Sequence, residues 1–349
     1  MSVPVADFWR NAAVISPNNF VHKSLSNWAF NIAIGCAHAC RFCYVPSAST
    51  IKQAPRLAEH GVVDPDAEWG NYVLLRQWDE EKFRASLRSA EKTPRSELKP
   101  DGNRAVIYCS TTDPYQVIKS SDPAKQRELA DAARIMIRRS LELIRDESTL
   151  NVRILTRSPL ARLDFDLFKT FRERLVFGMS LPTLRNDLAH VYEPKAPAPS
   201  QRLATLRAAR EIGLHVYVAV APTYPECDED DLRATLKVIR EVDPITIFHE
   251  PINIRAENVA RIKAYADEIG TLLRTDVFET RETWQEYALD SLKTMHHVAI
   301  ELGLRNKLHL WPDRSLGTPI AVRRMPKQNE YVRWLNHCWS RVSEWPKAA

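Results

Sequence analysis

The feature that most restricts the fold of this 349-residue chain is its alternation of short apolar runs with longer amphipathic runs. Runs rich in Val, Ile and Phe predict strands, and apolar residues spaced three or four apart predict helices. Strands that alternate with helices build a parallel sheet. The predicted strands are Phe30–Ile34, Ala105–Cys109, Val152–Leu155, Leu175–Ser180, His215–Ala221 and Ile245–His249. The predicted helices are Glu80–Ala90, Ala124–Arg145, Gln201–Ile212, Glu229–Val242, Ala256–Leu273 and Thr280–Leu302. The sequence therefore predicts an α/β fold, a partial (β/α)6 barrel open on one side.

The chain divides into three predicted parts around this barrel. Residues 1–26 form an N-terminal extension, and residues 27–280 hold the barrel with an insertion at about 44–80. Residues 281–349 add a C-terminal helix and a basic, Trp-rich segment, in which a late strand over Lys307–Leu310 would close the open side.

Composition indicates a cytoplasmic protein. The hydrophobic content of 44% is ordinary for a soluble chain. No run of eighteen apolar residues is present, so no membrane span is predicted. The N-terminus lacks the basic-then-apolar pattern of a signal peptide.

Three cysteines lie close together in the run Gly-Cys-Ala-His-Ala-Cys-Arg-Phe-Cys-Tyr, at Cys36, Cys40 and Cys43. A [4Fe–4S] cluster normally takes four cysteine ligands. Three in one tight loop leave one iron open, as a catalytic metal site requires. The spacing therefore predicts a cluster with three protein ligands.

Two other interpretations of these cysteines stay open. Zinc would need a fourth ligand at similar spacing, and His38 lies between the cysteines, where it would strain a tetrahedral site. A disulfide framework would need an oxidising compartment and an even, regularly spaced set. The remaining cysteines, Cys109, Cys227 and Cys338, are scattered and form no second cluster motif.

A polar segment follows each predicted strand. Catalytic residues of βα barrels collect at the carboxyl ends of strands. The segments after the cysteine loop are 109–116, 155–158, 180–183, 221–224 and 249–255. These strand ends predict the position of the site.

In order, these motifs resemble the spore photoproduct lyase-like branch of the radical S-adenosylmethionine (SAM) superfamily. The resemblance runs from about Asn27 to Asp231. It rests on the C-x3-C-x2-C loop, Thr-Thr-Asp-Pro-Tyr-Gln, Leu-Thr-Arg-Ser, Tyr192-Glu-Pro followed by Arg202-Leu, and Val218-Ala-Val-Ala-Pro222.

The resemblance implies a radical SAM enzyme with a partial (β/α)6 radical SAM barrel. Its cofactors would be a [4Fe–4S] cluster on the three cysteines and S-adenosyl-L-methionine. The reduced cluster would cleave SAM to a 5′-deoxyadenosyl radical, which removes hydrogen from substrate. A reductant such as flavodoxin or ferredoxin would supply the electron.

The resemblance also implies cofactor-binding roles for particular side chains. Phe42 matches the aromatic position near the adenine, and Arg157 stands where the lyase has a lysine at the SAM carboxylate. A guanidinium suits a carboxylate well. The remaining matched positions are Thr112, Asp113, Ser180 and Thr183. The hydroxyl side chains among these could instead cap helices, and Asp113 could instead cap a loop.

Two catalytic positions depart from the lyase. Its hydrogen-donor cysteine aligns with Ser110, and Cys109 lies one residue earlier, which on a strand points the side chain to the opposite face. Phe42 replaces a tyrosine of the hydrogen relay, whereas Tyr44 is retained. The candidate catalytic residues are Cys109, Cys227 and Tyr44.

Substrate contacts are expected near the fifth and sixth strand ends, from Tyr224, His249, Glu250, Asn253 and Arg255.

The segment from Arg305 to Ala349 carries nine Lys or Arg and three acids, together with five Trp or Tyr residues. Such a tail could grip phosphates and stack bases, or be a solvated helix whose tryptophans pack on the barrel. Three functions follow: a radical SAM enzyme acting on a nucleic-acid base or lesion, one acting on a small molecule or peptide, and a non-enzymatic metal-binding module.

Overall fold

The computed structural model describes residues 4–18, 23 and 25–347. Its strands are β1 (Val5–Ala12), β2 (Ile15–Pro17), β3 (Trp28–Phe30), β4 (Ala33–Ile34), β5 (Tyr72–Gln77), β6 (Ala105–Tyr108), β7 (Asn151–Thr156), β8 (Leu175–Ser180), β9 (His215–Thr223), β10 (Thr246–Pro251) and β11 (Leu308–Leu310). Its α-helices are α1 (Val45–Ala48), α2 (Ala54–Ala58), α3 (Glu80–Lys92), α4 (Pro123–Glu147), α5 (Phe165–Lys169), α6 (Asn186–Tyr192), α7 (Pro199–Glu211), α8 (Glu229–Glu241), α9 (Asn258–Ile269), α10 (Arg281–Glu301), α11 (Pro319–Arg323) and α12 (Gln328–Ser340).

A large sheet carries the strands in the order β11-β10-β9-β8-β7-β6-β3-β2. All neighbouring strands from β3 to β11 are parallel, and β2 pairs antiparallel with β3. Parallel neighbours need crossover connections, which the helices between successive strands supply. The predicted α/β class with a mostly parallel sheet is therefore confirmed.

The prediction of one strand over Phe30–Ile34 is wrong. The chain forms β3 in the large sheet and β4 in a smaller one, with Asn31 between them. Asn31 Oδ1 accepts from the backbone amides of Ser110 (2.9 Å) and Thr111 (3.0 Å). This side chain satisfies amides beyond the end of β6, at the point where the chain leaves the large sheet.

The smaller sheet has the order β1-β5-β4, and its strands β1 and β5 were absent from the predicted set. β1 is parallel to β5, and β4 is antiparallel to it. β1 belongs to the segment predicted as an extension, and β5 to the segment predicted as an insertion. Their pairing is long-range, so local periodicity could not reveal it.

The two faces of the large sheet have separate apolar clusters. Alternate residues such as Val106 and Ile154 pack in the main core with the helices. Ile107, which follows Val106, lies on the other face, where it forms a smaller cluster with Tyr217 of β9 and Phe248 of β10. This alternation follows from the period of two in a strand.

The C-terminal segment extends the large sheet, because β11 pairs in parallel with β10. Its tryptophans are engaged by the protein. Trp311 stacks on Phe248 with ring centroids 4.4 Å apart, and Trp339 Nε1 donates to the Pro312 carbonyl at 2.8 Å. Trp345 Nε1 donates to the Glu173 carbonyl at 2.9 Å. Packing therefore accounts for these three side chains.

Within the described ranges, no helix has both the length and the apolar character that a bilayer crossing demands.

Candidate functional site

The three cysteines lie on the loop that follows β4, which we call the cysteine loop (residues 35–44). All three are free thiols, with Cys36 and Cys40 buried and Cys43 partly buried. The loop begins at Gly35, which has φ +89°, and a Cβ there would stand 2.2 Å from the Tyr72 carbonyl oxygen. Only glycine allows the loop to pass so close to β5.

The electrostatics of the loop fit a metal-binding set. Burial raises the pKa of Cys40 to about 12, against the opposing charge of Arg157. Burial also raises the pKa of Cys36, and the neighbouring Cys40 adds to this. Burial raises the pKa of Cys43 as well. A bound cation would stabilise the thiolates of all three residues. The donors therefore suit an iron–sulfur cluster or zinc.

Asp113 joins the cysteine loop to two strand ends. It is buried, with Oδ2 3.1 Å from His38 Nε2. It also accepts from Thr156 Oγ1 (2.7 Å) and from the Arg157 amide (2.8 Å). Burial alone would raise the pKa of Asp113, but these partners lower it. Asp113 thus links His38 of the cysteine loop to the end of β7 and the residue that follows it.

Thr112 and Gln116 fasten the beginning of the loop. Thr112 Oγ1 donates to the Gly35 carbonyl at 2.6 Å and accepts from Gln116 Nε2 at 2.7 Å. Gln116 Oε1 accepts from the Ala37 amide at 2.6 Å. The Thr-Thr-Asp-Pro-Tyr-Gln motif therefore shapes the cysteine loop through three of its side chains.

Arg157, Glu193 and Arg202 form a charged group beside the loop, in which Glu193 and Arg202 are buried and Arg157 is partly exposed. Arg157 Nε donates to Glu193 Oε1 at 2.7 Å, and Arg202 pairs with the other carboxylate oxygen. Burial would raise the pKa of Glu193, but the two arginines lower it to about 2. The terminal nitrogens of Arg157 have no hydrogen-bond partner among the described residues, so this guanidinium keeps donors for a ligand.

An aromatic row leads away from the loop. The Phe42 ring lies 6.0 Å from that of Tyr224, which stacks on Tyr192 at 4.1 Å. The Arg157 guanidinium carbon lies 5.7 Å from the centroid of Phe42. Tyr224 is almost fully buried, and its hydroxyl has no partner within the described part of the chain.

The other predicted hydroxyl positions bond to protein groups. Ser180 Oγ donates to the Ala221 carbonyl at 3.1 Å. Thr183 Oγ1 donates to Asp231 Oδ1 at 2.8 Å, at the beginning of α8. Burial and the neighbouring Asp231 raise the pKa of Cys227 well above its ordinary value. These contacts join adjacent strand ends.

A cleft of about 110 Å³ brings the cysteine loop together with the end of β10. Phe42, Cys43 and Tyr44 form one side of the cleft, and Glu250, Asn253 and Arg255 belong to the other. These residues lie about two hundred positions apart in sequence, yet were predicted as parts of one site.

The polar groups of the cleft differ in their partners. Asn253 is buried, and its Oδ1 has no partner in the described ranges. Glu250 forms an ion pair with Lys23 at 2.5 Å. The Arg255 guanidinium carbon lies 5.6 Å from the centroid of Tyr44. The cleft thus offers an amide, a carboxylate and aromatic surface.

His249 and Cys109 lie away from the cleft. His249 is fully buried, with Nδ1 3.0 Å from Thr223 Oγ1 and Nε2 3.4 Å from Ser291 Oγ. Burial lowers its pKa to about 4, so the ring is neutral. Cys109 is buried in the main apolar core, and burial raises the pKa of its thiol.

Two residues of α9 contact the cysteine loop without having been predicted. Asn258 Nδ2 donates to the Phe42 carbonyl at 3.2 Å, and Arg261 Nη1 donates to the Cys43 carbonyl at 2.6 Å. The sequence shows only an ordinary polar helix here. A buried arginine within a helix carries no local signal that it reaches a loop more than two hundred residues away.

The chain is similar in fold to solved structures of known proteins. A search against protein-family models finds no match. A point mutant of spore photoproduct lyase aligns with a TM-score of 0.58 at 13% identity, over 87% of this chain and 80% of that one. A double mutant of the same lyase, with bound AdoMet and dinucleoside spore photoproduct, aligns with a TM-score of 0.55 at 14% identity, over 82% and 76% of the two chains. The chain therefore has the same fold as spore photoproduct lyase.

Two curated relatives are similar in sequence. The uncharacterized protein ORF301 of Acidianus two-tailed virus is 32% identical over 256 residues, which are 71% of this chain and 74% of that protein. The uncharacterized protein MJ0683 of Methanocaldococcus jannaschii is 24% identical over 275 residues, which are 72% and 88% of the two chains. The chain belongs to the same family as the viral ORF301 protein.

Proposed function

We propose that this protein is a radical SAM enzyme that holds a [4Fe–4S] cluster on Cys36, Cys40 and Cys43. The observation that carries the proposal is the cleft, in which the third of these cysteines meets polar side chains from the end of β10. When bound, the cluster and SAM would supply a 5′-deoxyadenosyl radical that abstracts hydrogen from substrate. The six βα units would form the partial (β/α)6 barrel around this site.

The residues we assign to SAM binding are those with hydrogen-bond donors or ring faces that no protein group uses. Arg157 has unused terminal nitrogens and would pair with the SAM carboxylate. Phe42 offers a ring face for the adenine. Thr112, Asp113, Ser180 and Thr183 bond to protein groups, so they would act by shaping the pocket walls.

The substrate we favour is a nucleic-acid base or lesion. Asparagine and carboxylate side chains read the donors and acceptors of base edges, and aromatic rings stack on bases. Asn253, Glu250 and Tyr44 supply these groups in the cleft. Tyr44 and the thiol of Cys227 stay candidates for the hydrogen transfer, whereas the burial of Cys109 in the main core argues against that role. A flavodoxin or ferredoxin in the cytoplasm would provide the electron.

A small molecule or peptide is the second candidate substrate. It is favoured by the engagement of Trp311, Trp339 and Trp345 in packing, which removes three rings from base stacking. The charge of the tail would then serve solubility rather than phosphate binding.

Anaerobic reconstitution tests the enzyme proposal. The protein is loaded with iron and sulfide, and 5′-deoxyadenosine is measured after SAM and dithionite are added. We expect about four irons per chain and product in the wild type. Cys40→Ala should lose the cluster and more than a hundredfold of the product. Cys338→Ala, which removes a partly buried thiol on α12, is the matched control and should behave as the wild type.

If the protein prepared without oxygen binds zinc and forms no 5′-deoxyadenosine, the non-enzymatic metal-binding module is the one hypothesis left. Titration with DNA and RNA at several salt concentrations separates the two substrates. A nucleic-acid binder weakens steeply as salt rises, because counterions are released from phosphates. Absent or salt-independent binding favours the small substrate.

A further inference from the structure

Helix α9 bonds to three successive carbonyls of the cysteine loop. Arg261 Nη1 donates to the carbonyls of Arg41 at 2.9 Å and Cys43 at 2.6 Å. Asn258 Nδ2 donates to the Phe42 carbonyl between them at 3.2 Å. Every backbone acceptor from the residue after the second cysteine to the third cysteine is therefore engaged by this helix.

The guanidinium of Arg261 is a cation in a buried position. The residue is 8% exposed, and its Nε has no partner among the described residues. Its carboxylate partner is Asp66 of the 44–80 segment, whose Oδ1 lies 2.5 Å from Arg261 Nη2. Asp66 is more exposed than Arg261, so water screens it better, and the two charges do not cancel at the loop.

Asn258 connects the same loop to the substrate side of the cleft. Its Nδ2 also donates to the Asn253 carbonyl at 2.8 Å, and its Oδ1 accepts from the Arg255 amide at 3.0 Å. Arg261 makes no such contact with this segment. The two side chains therefore differ: Asn258 is a neutral tie between two loops, whereas Arg261 places a charge beside the third cysteine.

We propose that Arg261 is a positioning residue that raises the reduction potential of the cluster, with Asp66 moderating its charge. Reduction adds one negative charge to the cluster. A buried cation that bonds to the backbone of a ligand stabilises the reduced form more than the oxidised form, since potential follows local charge and hydrogen bonding. This inference rests on the proposed function, because it requires the cluster to be present.

The test is a redox titration of the reconstituted protein, followed by the electron paramagnetic resonance signal of the reduced cluster. Arg261→Met should lower the ratio of reduced to oxidised cluster about tenfold at a fixed potential, which is about 59 mV for a one-electron couple. Arg261→Lys keeps the charge and should recover part of this shift. Asp66→Asn removes the moderating charge and should shift the ratio in the opposite direction.

Arg174→Met is the matched control. Arg174 is partly buried and also donates to backbone carbonyls, those of Ser148 at 2.8 Å, Arg145 at 2.8 Å and Leu150 at 3.4 Å. It precedes β8, at the end of the sheet away from the cysteine loop. We expect the reduction potential of the cluster in Arg174→Met to equal that in the wild type.

The outcomes separate the two proposals. A wild-type protein that binds no iron–sulfur cluster overturns the proposed function. Full clusters with equal potentials in the wild type, Arg261→Met and Asp66→Asn overturn the role of Arg261. If Arg261→Met fails to fold or to hold the cluster, the opposite-signed shift of Asp66→Asn decides the question.

Discussion

The two ends of the large sheet use buried arginine in different ways. At the carboxyl end, Arg157 and Arg202 share the carboxylate of Glu193, and Arg157 retains free donors. At the amino end, Arg153 is fully buried and donates to the Leu25 carbonyl at 2.7 Å. Its guanidinium carbon lies 5.1 Å from the centroid of Trp345 rather than beside a carboxylate.

This difference shows where chemistry can occur. The C-terminal tail covers the amino end, where Arg153 Nη2 donates to Ser343 Oγ at 3.3 Å and aromatic rings surround the charge. The carboxyl end has paired charges, a cleft and a loop of thiols. Arg153 is enclosed by protein groups, whereas Arg157 keeps donors that can bind a ligand.

The largest effect is expected at Glu193. Glu193→Gln keeps the shape but leaves the buried Arg202 and the partly buried Arg157 without their counter-charge, which should lower the free energy of unfolding by about 3 kcal/mol at pH 7. The folded pKa of about 2 lies below the ordinary value of 4.5. The stabilisation is therefore present above pH 4.5 and is lost as pH falls toward 2.

Urea unfolding of the wild type and the variant between pH 7 and pH 3 measures this. The difference between the two proteins should shrink as the pH falls. A constant difference over that range would mean that the charge of Glu193 does not matter, and the carboxyl end would then resemble the amino end.

A smaller effect is expected from the tail. Trp345→Ala should lower the free energy of unfolding by about 2 kcal/mol, because it removes a partly buried ring over Arg153 and the hydrogen bond to Glu173. Iron content per folded chain should stay at the wild-type value, since Trp345 lies beside Arg153 at the other end of the sheet. Loss of iron together with stability would break the proposed separation of the two ends.

The smallest effect is expected at His249, which lies at the carboxyl end of the sheet but outside the cleft. Burial lowers the pKa of His249 to about 4 from an ordinary 6.5, so the unfolded chain binds the proton more readily. This contribution to stability is complete above pH 6.5 and is lost as pH falls toward 4. His249→Asn should remove about 1 kcal/mol of pH dependence between pH 6 and pH 5.

Thermal or urea unfolding at these two pH values provides the measurement. Thr223→Val, which removes the hydroxyl partner of the ring, is the companion variant and should retain the pH dependence. If the free energy of unfolding of His249→Asn depends on pH as that of the wild type does, the imidazole is exposed to solvent in the folded protein.

Local patterns predicted much of the fold. Strand β8 has the predicted limits, and α3, α4, α7, α8 and α10 lie within about two residues of them. The region of α9 was predicted too long, over 256–273, because Gly270 ends the helix with φ +65°. The pairing of β1 with β5 depends on residues that lie far apart, and no periodicity reports such a pairing.

The sequence by itself determined the cysteine loop and the alternation of strands and helices, because both depend on spacing between near neighbours. Tertiary structure alone decided that His249 and Cys109 are buried, that Asp113 holds His38, and that α9 reaches the loop through Arg261. These facts depend on which distant segments meet. Many helices carry a polar residue such as Arg261, and only packing selects the backbone carbonyl to which it donates.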